Sequence, residues 1–175
     1  AIAVSVVLFG VLGRDVPGVP ASFWPALMVG AVGQIAGTVA LLQSFKVRDF
    51  AIGTVYSKSE VLSVAALGAI GFETALRPTG WVGAVLVTAG VAWLASKGSL
   101  TSLLRRAGDP AALLGLAAGA GFAAASLGIG SASRSLTDAP SFDRAVLTLT
   151  ALLIVQTLLN AGWFVATDPT EITST

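Results

Sequence analysis

Two ionisable residues stand two apart inside the apolar stretch "FAIGTVYSKSEVLSVAALGAIGF", which runs from Phe50 to Phe72. Lys58 lies eight residues after Phe50, about 12 Å along a helix that rises about 1.5 Å per residue, and so near the midplane of a bilayer. A helix beginning only at Val61 would reach Phe72 in twelve residues, about 18 Å, and would fail to cross. Both charges therefore belong inside the span. An ionisable side chain at that depth costs on the order of 3 kcal/mol on insertion scales and faces protein or a watery cavity. A carboxyl there suits proton pickup and release, and an ammonium suits an anionic ligand.

The pair does not neutralise itself, because residues two apart on a helix point about 200° away from each other. Glu60 shares its face with Gly53, Tyr56, Ser57, Ser63, Leu67 and Gly71, a small and partly hydroxylated strip that reads as cavity-lining. Tyr56, four residues earlier, is spaced to hydrogen-bond the Glu60 carboxylate. Lys58 sits with Thr54, Val61, Leu62 and Ala65, and no other carboxylate falls within an apolar run. Its candidate partners are the polar groups Gln34, Gln156 and Asn160, a helix outside this sequence, or an anionic substrate. Gln156 and Asn160 are four apart and share a face, where an interhelical hydrogen bond competes with a substrate contact as their role. Lys58 and Glu60 also fit a structural polar network that holds helices in register.

The elements that must position these residues are set by composition. Hydrophobic residues make up 55% of the 175, charged residues only 11%, and mean hydropathy is +0.87, which describes an integral membrane protein. Six apolar runs are expected, judged against the roughly 20 residues that a membrane helix needs. Residues 1–13 are too short to span; opening without Met in mid-run, they read as the remaining end of a cut helix, and the chain as a fragment. The second run extends from about Phe23 to Phe45, with Trp24 as an interfacial anchor and Lys46, Arg48 and Asp49 after it. The third is the quoted stretch. The fourth runs from Pro78 to about Ser96, Pro78 suiting the first turn of a helix because its missing N–H costs nothing there. After the polar connection "KGSLTSLLRRAGDP", the fifth run covers Ala111 to about Ser133 and the sixth Ala145 to about Ala166. Arg134 and Arg144 flank these last two as helix-end anchors or as a charge gate.

Small residues recur inside the runs, in "GAVGQIAG" (Gly30, Gly33, Gly37), "GLAAGAG" (Gly115, Gly119, Gly121) and "LGIGSAS" (Gly128, Gly130). Helix association in lipid depends on close backbone approach, so these are expected packing seams, with a homodimer contact as the other use. Lys and Arg number five on one side of the membrane and four on the other, which leaves orientation open. There is no Cys and no His, so thiolate nucleophiles, disulfides and the usual zinc sites are excluded. H-E-x-x-H, G-x-S-x-G and Walker sequences are missing too, so no catalytic residue, metal or cofactor is expected and the chain reads as no enzyme. Net charge is +1 with Arg105-Arg106 as the densest basic cluster, which argues against nucleic-acid binding. No repeated ring of charges or filter-like loop suggests a channel.

The stretch "FAIGTVYSKSEVLSVAALGAIGFETALRPTGWVGAVLVTAGVAWL" resembles the fourth and fifth helices of the first half of an EamA-type transporter of the drug/metabolite transporter superfamily. The resemblance rests on a polar helix start, Gly71-x-Glu73, a short turn, and a helix carrying Gly80, Gly83 and Gly90. Ser57-Lys58-Ser59-Glu60 fits the Ser/Thr-Lys-Ser/Thr-Glu tetrad of one branch. It implies an all-α polytopic bundle of ten helices in two inverted repeats around a central cavity, of which this chain holds about the second to the seventh helix. Residues 1–97 would be the later four helices of the first repeat, 98–110 the connection, and 111–175 the first two helices of the second. The function implied is secondary transport, as exporter or exchanger of small metabolites by alternating access, with Lys58, Glu60, Tyr56, Gln34, Gln156 and Asn160 as substrate or proton site. Lys58, without an acidic partner, tilts the substrate towards a carboxylate or phosphate. The expected setting is multi-pass in the cell membrane, with lipid and a small-molecule substrate as partners. The alternative is a non-transporting scaffold or assembly subunit, in which Lys58 and Glu60 are structural glue.

Overall fold

Three of the expected runs form helices long and apolar enough to cross a membrane. In the computed structural model of the chain, residues 17–47, 77–95 and 108–167 are described, together with Ala3, Val6, Gly10, Ser57, Glu60, Val61, Ser63 and Val64. They are helical apart from short links, with no strand among the described residues. The helices with defined bounds are α1 (Phe23–Val47), α2 (Pro78–Ala95), α3 (Pro110–Ser135) and α4 (Ser141–Thr167). At about 1.5 Å per residue the 25, 26 and 27 residues of α1, α3 and α4 are about 37–40 Å long, more than the roughly 30 Å hydrocarbon core. The 18 residues of α2 reach about 27 Å.

Local chemistry sets the helix starts. The carbonyl of Arg77 accepts from Gly80 and Trp81, and that of Asp109 accepts from Ala112 and Leu113, so Pro78 and Pro110 each occupy the first helical position. Proline fits there because that N–H has no intrahelical acceptor. In α4 the first bond runs from Arg144 N–H to the Pro140 carbonyl, which places Asp143 and Arg144 inside the first turn. The helix thus begins earlier than the apolar run at Ala145 suggests, because its N-terminal turn is polar. A buried carboxylate in that turn suits the positive end of the helix dipole. Arg134, in the last turn of α3, sits at the end that favours a cation.

The chain divides into two compact units, residues 1–31 with 128–175, and residues 32–127. The division cuts through α1 and α3 and is a matter of contact density, distinct from the expected repeat connection at 98–110, most of which lies outside the described residues. The first unit is built on Phe23, Leu27 and Ala31 of α1, spaced by four so that they form one helix face. Ala132 and Leu136 after them, and Leu152 of α4, complete that core, with Leu147, Ala151 and Val155 packed against it. Within the same unit Gly128 lies against the backbone of α1: a Cβ there would sit 2.6 Å from Gly30 N and 2.7 Å from Ala26 O.

The second unit is held by a similar contact. A Cβ on Gly33 would lie 2.8 Å from Gly121 O and 3.0 Å from Ala125 N, and one on Gly37 would meet Ala118 O at 3.1 Å. Rising numbers on α1 thus meet falling numbers on α3, so the two run antiparallel here. Only hydrogen in place of a side chain lets the backbones come this close, which is the physical meaning of the glycine runs. In this unit α2 buries Ala84 while Val82, Val85, Leu86, Val87 and Trp93 are exposed.

Candidate functional site

Glu60 is helical and half-buried, and its neighbour on the same face, Ser57, is buried. A hydroxyl from a distant part of the sequence reaches it: Ser126 Oγ of α3 donates to Glu60 Oε1 at 3.2 Å. An ionised carboxylate can only accept, so the hydroxyl must be the donor in that state. An apolar surround makes such a donor valuable, because a carboxylate without one is strongly disfavoured there. Lys58 and Tyr56 lie outside the described residues.

The other residues singled out from the sequence divide between the units. Gln34, in the second, is half-buried on α1 and its carbonyl accepts from Thr38 Oγ1 at 2.8 Å. In the first, Gln156 is half-buried on α4, and Asn160, one turn on and exposed, donates through Nδ2 to the Gln156 carbonyl at 2.8 Å. That bond lies within one helix. A side-chain amide can reach back one turn as readily as sideways.

The same back-bonding satisfies several other hydroxyls in the helices. Thr88 donates to Ala84 O at 2.9 Å, Thr157 to Leu153 O at 2.7 Å, and Thr167 to Trp163 O at 2.8 Å. Ser44 and Ser135 reach carbonyls three residues back, those of Leu41 and Ala132. In a bilayer this satisfies a hydroxyl without any partner helix. Ser126 differs, and sequence reasoning missed it: a lone serine in "GFAAASLGIG" carries no local sign that its hydroxyl points at a glutamate 66 residues earlier.

Arg144 holds the start of α4, donating from Nη2 to Ser141 Oγ at 3.2 Å, while its Nε and the Thr148 Oγ1 one turn later are buried without a hydrogen bond. The first unit also has an open cavity of about 330 Å³ lined by Gly18, Val19, Pro20, Ser135, Thr137 and Asp138. The Asp138 carboxylate there accepts from Thr137 Oγ1 at 3.1 Å, and none of the candidate residues lines it. Among the described residues no group of three or more acidic side chains is gathered to hold a metal.

The site is therefore a carboxyl on a helical segment, a hydroxyl donor from α3, and a buried serine one turn away. Around Ser126 the α3 sequence is mostly alanine, glycine and leucine, so this hydroxyl stands among small and apolar residues. No family model, curated protein or solved structure matches the chain.

Proposed function

We propose that the chain is part of a secondary transporter of the EamA type, exporting or exchanging small metabolites by alternating access from a multi-pass position in the cell membrane. The observation that carries this reading is the Glu60 carboxyl, half-buried within a bundle of apolar helices and met by Ser126 Oγ at 3.2 Å. Intramembrane ionisable groups mark substrate and proton paths. Close glycine contacts such as that of Gly33 with Gly121 give smooth helix surfaces that can rock against each other. In this reading the ten-helix inverted repeat supplies the remaining helices, Glu60 exchanges the coupling proton, and Lys58 attracts a carboxylate or phosphate.

A scaffold is the second reading, and one observation favours it: Glu60 already has a protein partner, as structural glue would. Flux of a panel of anionic metabolites into proteoliposomes separates the two. The full-length parent that the transporter reading requires is assayed beside Lys58→Ala and Glu60→Gln, with folding checked by gel filtration in detergent. Transport by the parent, lost in folded Lys58→Ala and Glu60→Gln, supports the proposal. Variants that are folded and transport normally would remove Lys58 and Glu60 from the site, and variants that fail to fold would make them glue.

A further inference from the structure

We propose that Ser126 is a positioning residue for Glu60, and that the α1–α3 glycine contact is what puts it there. This deepens the transporter reading and rests on it for its role in function, although the contact itself stands without it. Serine in a helix ordinarily directs its hydroxyl to a carbonyl one turn back, as Ser44 and Ser135 do in this chain. Ser126 directs its hydrogen instead to a carboxylate on another segment. An exposed serine has free choice of rotamer, so this geometry holds only if α3 itself is fixed relative to the segment that carries Glu60.

The residues around Ser126 fix α3 against α1, which is the part of that arrangement the glycine contact provides. Ala125, its neighbour, is the residue whose backbone N lies 3.0 Å from where a Gly33 Cβ would be, and Ala124 Cβ lies 3.3 Å from the same point. One turn earlier Gly121 is closed against Gly33 and Gly37, with a Cβ there 2.8 Å from both Gly37 N and Gly37 Cα. The seam residues 118, 121, 122 and 125 form one stripe of α3, and Ser126 borders it at the next angular position. Its hydroxyl therefore has a set height and direction. The hydrogen bond fixes which oxygen of Glu60 is held and leaves the other for a proton or for a ligand. No charged side chain lies on α3 between Pro110 and Ser133, or on α1 between Phe23 and Phe45, so the serine meets no competing charge from either helix.

The test is infrared spectroscopy of the full-length protein in lipid, with the carboxyl bands of Glu60 assigned by their loss in Glu60→Gln. In Ser126→Ala these bands are expected to shift, to higher wavenumber for a C=O stretch that has lost its donor, and in Ser126→Thr to return to the wild-type position. Thermal midpoints check that all variants are folded. Bands unmoved in Ser126→Ala would overturn the proposal, as would a shift in Ser126→Thr equal to that in Ser126→Ala, since the hydroxyl would then be irrelevant. Flux measured on the same preparations separates the two readings. A band that shifts and is rescued in a protein without flux leaves Ser126 as the positioning residue of a structural carboxyl and removes the transporter reading.

Discussion

Helices α3 and α4 are nearly equal in length, 26 and 27 residues, and equal in hydropathy, yet 44% of the apolar window of α3 is buried against 11% for α4. Hydropathy thus says that both can enter a membrane and nothing about what each will touch. Side-chain size decides that. Alanine and glycine dominate "PAALLGLAAGAGFAAASLGIGSASRS", so α3 lets α1 approach to backbone contact and gains dispersion along the whole seam. The outer half of α4 carries Leu153, Ile154, Leu158, Trp163, Phe164 and Val165, all exposed, as suits lipid or helices beyond this chain. Large side chains there hold a neighbour's backbone away.

The sharpest way to break this comparison is to add one methyl group to the seam. Gly128→Ala would put carbon 2.6 Å from Gly30 N and 2.7 Å from Ala26 O, backbone atoms that can move only with α1 itself. We expect a loss of about 1–3 kcal/mol, the usual range for overpacking, read as a lower thermal midpoint in detergent. Gly33→Ala meets Gly121 O at 2.8 Å and Ala125 N at 3.0 Å and is expected slightly below Gly128→Ala. Gly37→Ala is expected to cost about 1 kcal/mol, since its nearest neighbour at 2.9 Å is the Phe122 ring, a side chain that can swing aside. An equal loss in all three would show that the backbones separate as one body rather than yielding locally.

These contacts also mark what the sequence could disclose. The membrane class, the start at Pro78 and the glycine seams were legible, because apolar runs, missing N–H groups and absent side chains act within one helix turn. The pairing of Gly33 with Gly121 was not, since every Gly-rich helix offers the same seam and only the tertiary arrangement selects the partner. The start of α4 was misplaced by reading hydropathy alone, for Asp143 and Arg144 are polar but helical. Glu60 stood out as a charge in an apolar run. Ser126 did not, because a hydroxyl costs little in a helix and so leaves no mark in the pattern.

A smaller effect sharpens the contrast from inside α4. Thr148 is buried beside Leu152, and its Oγ1 makes no hydrogen bond. Burying a hydroxyl unmatched costs about 1–3 kcal/mol, part of which is recovered when a methyl of similar shape replaces it. Thr148→Val is therefore expected to stabilise by about 0.5–1 kcal/mol in thermal unfolding, and Thr148→Ser, which keeps the hydroxyl and loses the methyl, to destabilise. A less stable Thr148→Val would mean that the hydroxyl is satisfied by a buried water, which belongs to the fold in the way that such waters do.

The smallest effect is expected where the helix is most exposed among the described residues. Leu158 is 66% exposed, and Gly162, one turn on, has no atom within 4 Å of its would-be Cβ. Leu158→Ala removes area already outside the protein interior, so its change should stay within about 0.5 kcal/mol, as for surface sites in general. Gly162→Ala should be neutral or slightly stabilising, because alanine is the better helix former by up to about 1 kcal/mol. The proposed transporter requires further helices, and comparing Leu158→Ala in the 175-residue chain with the same change in the longer chain that proposal calls for tells lipid from protein on this face. A cost that stays near zero in both leaves α4 facing lipid, whereas a cost of about 2 kcal/mol or more only in the longer chain, the magnitude of a core truncation, places a further helix against it.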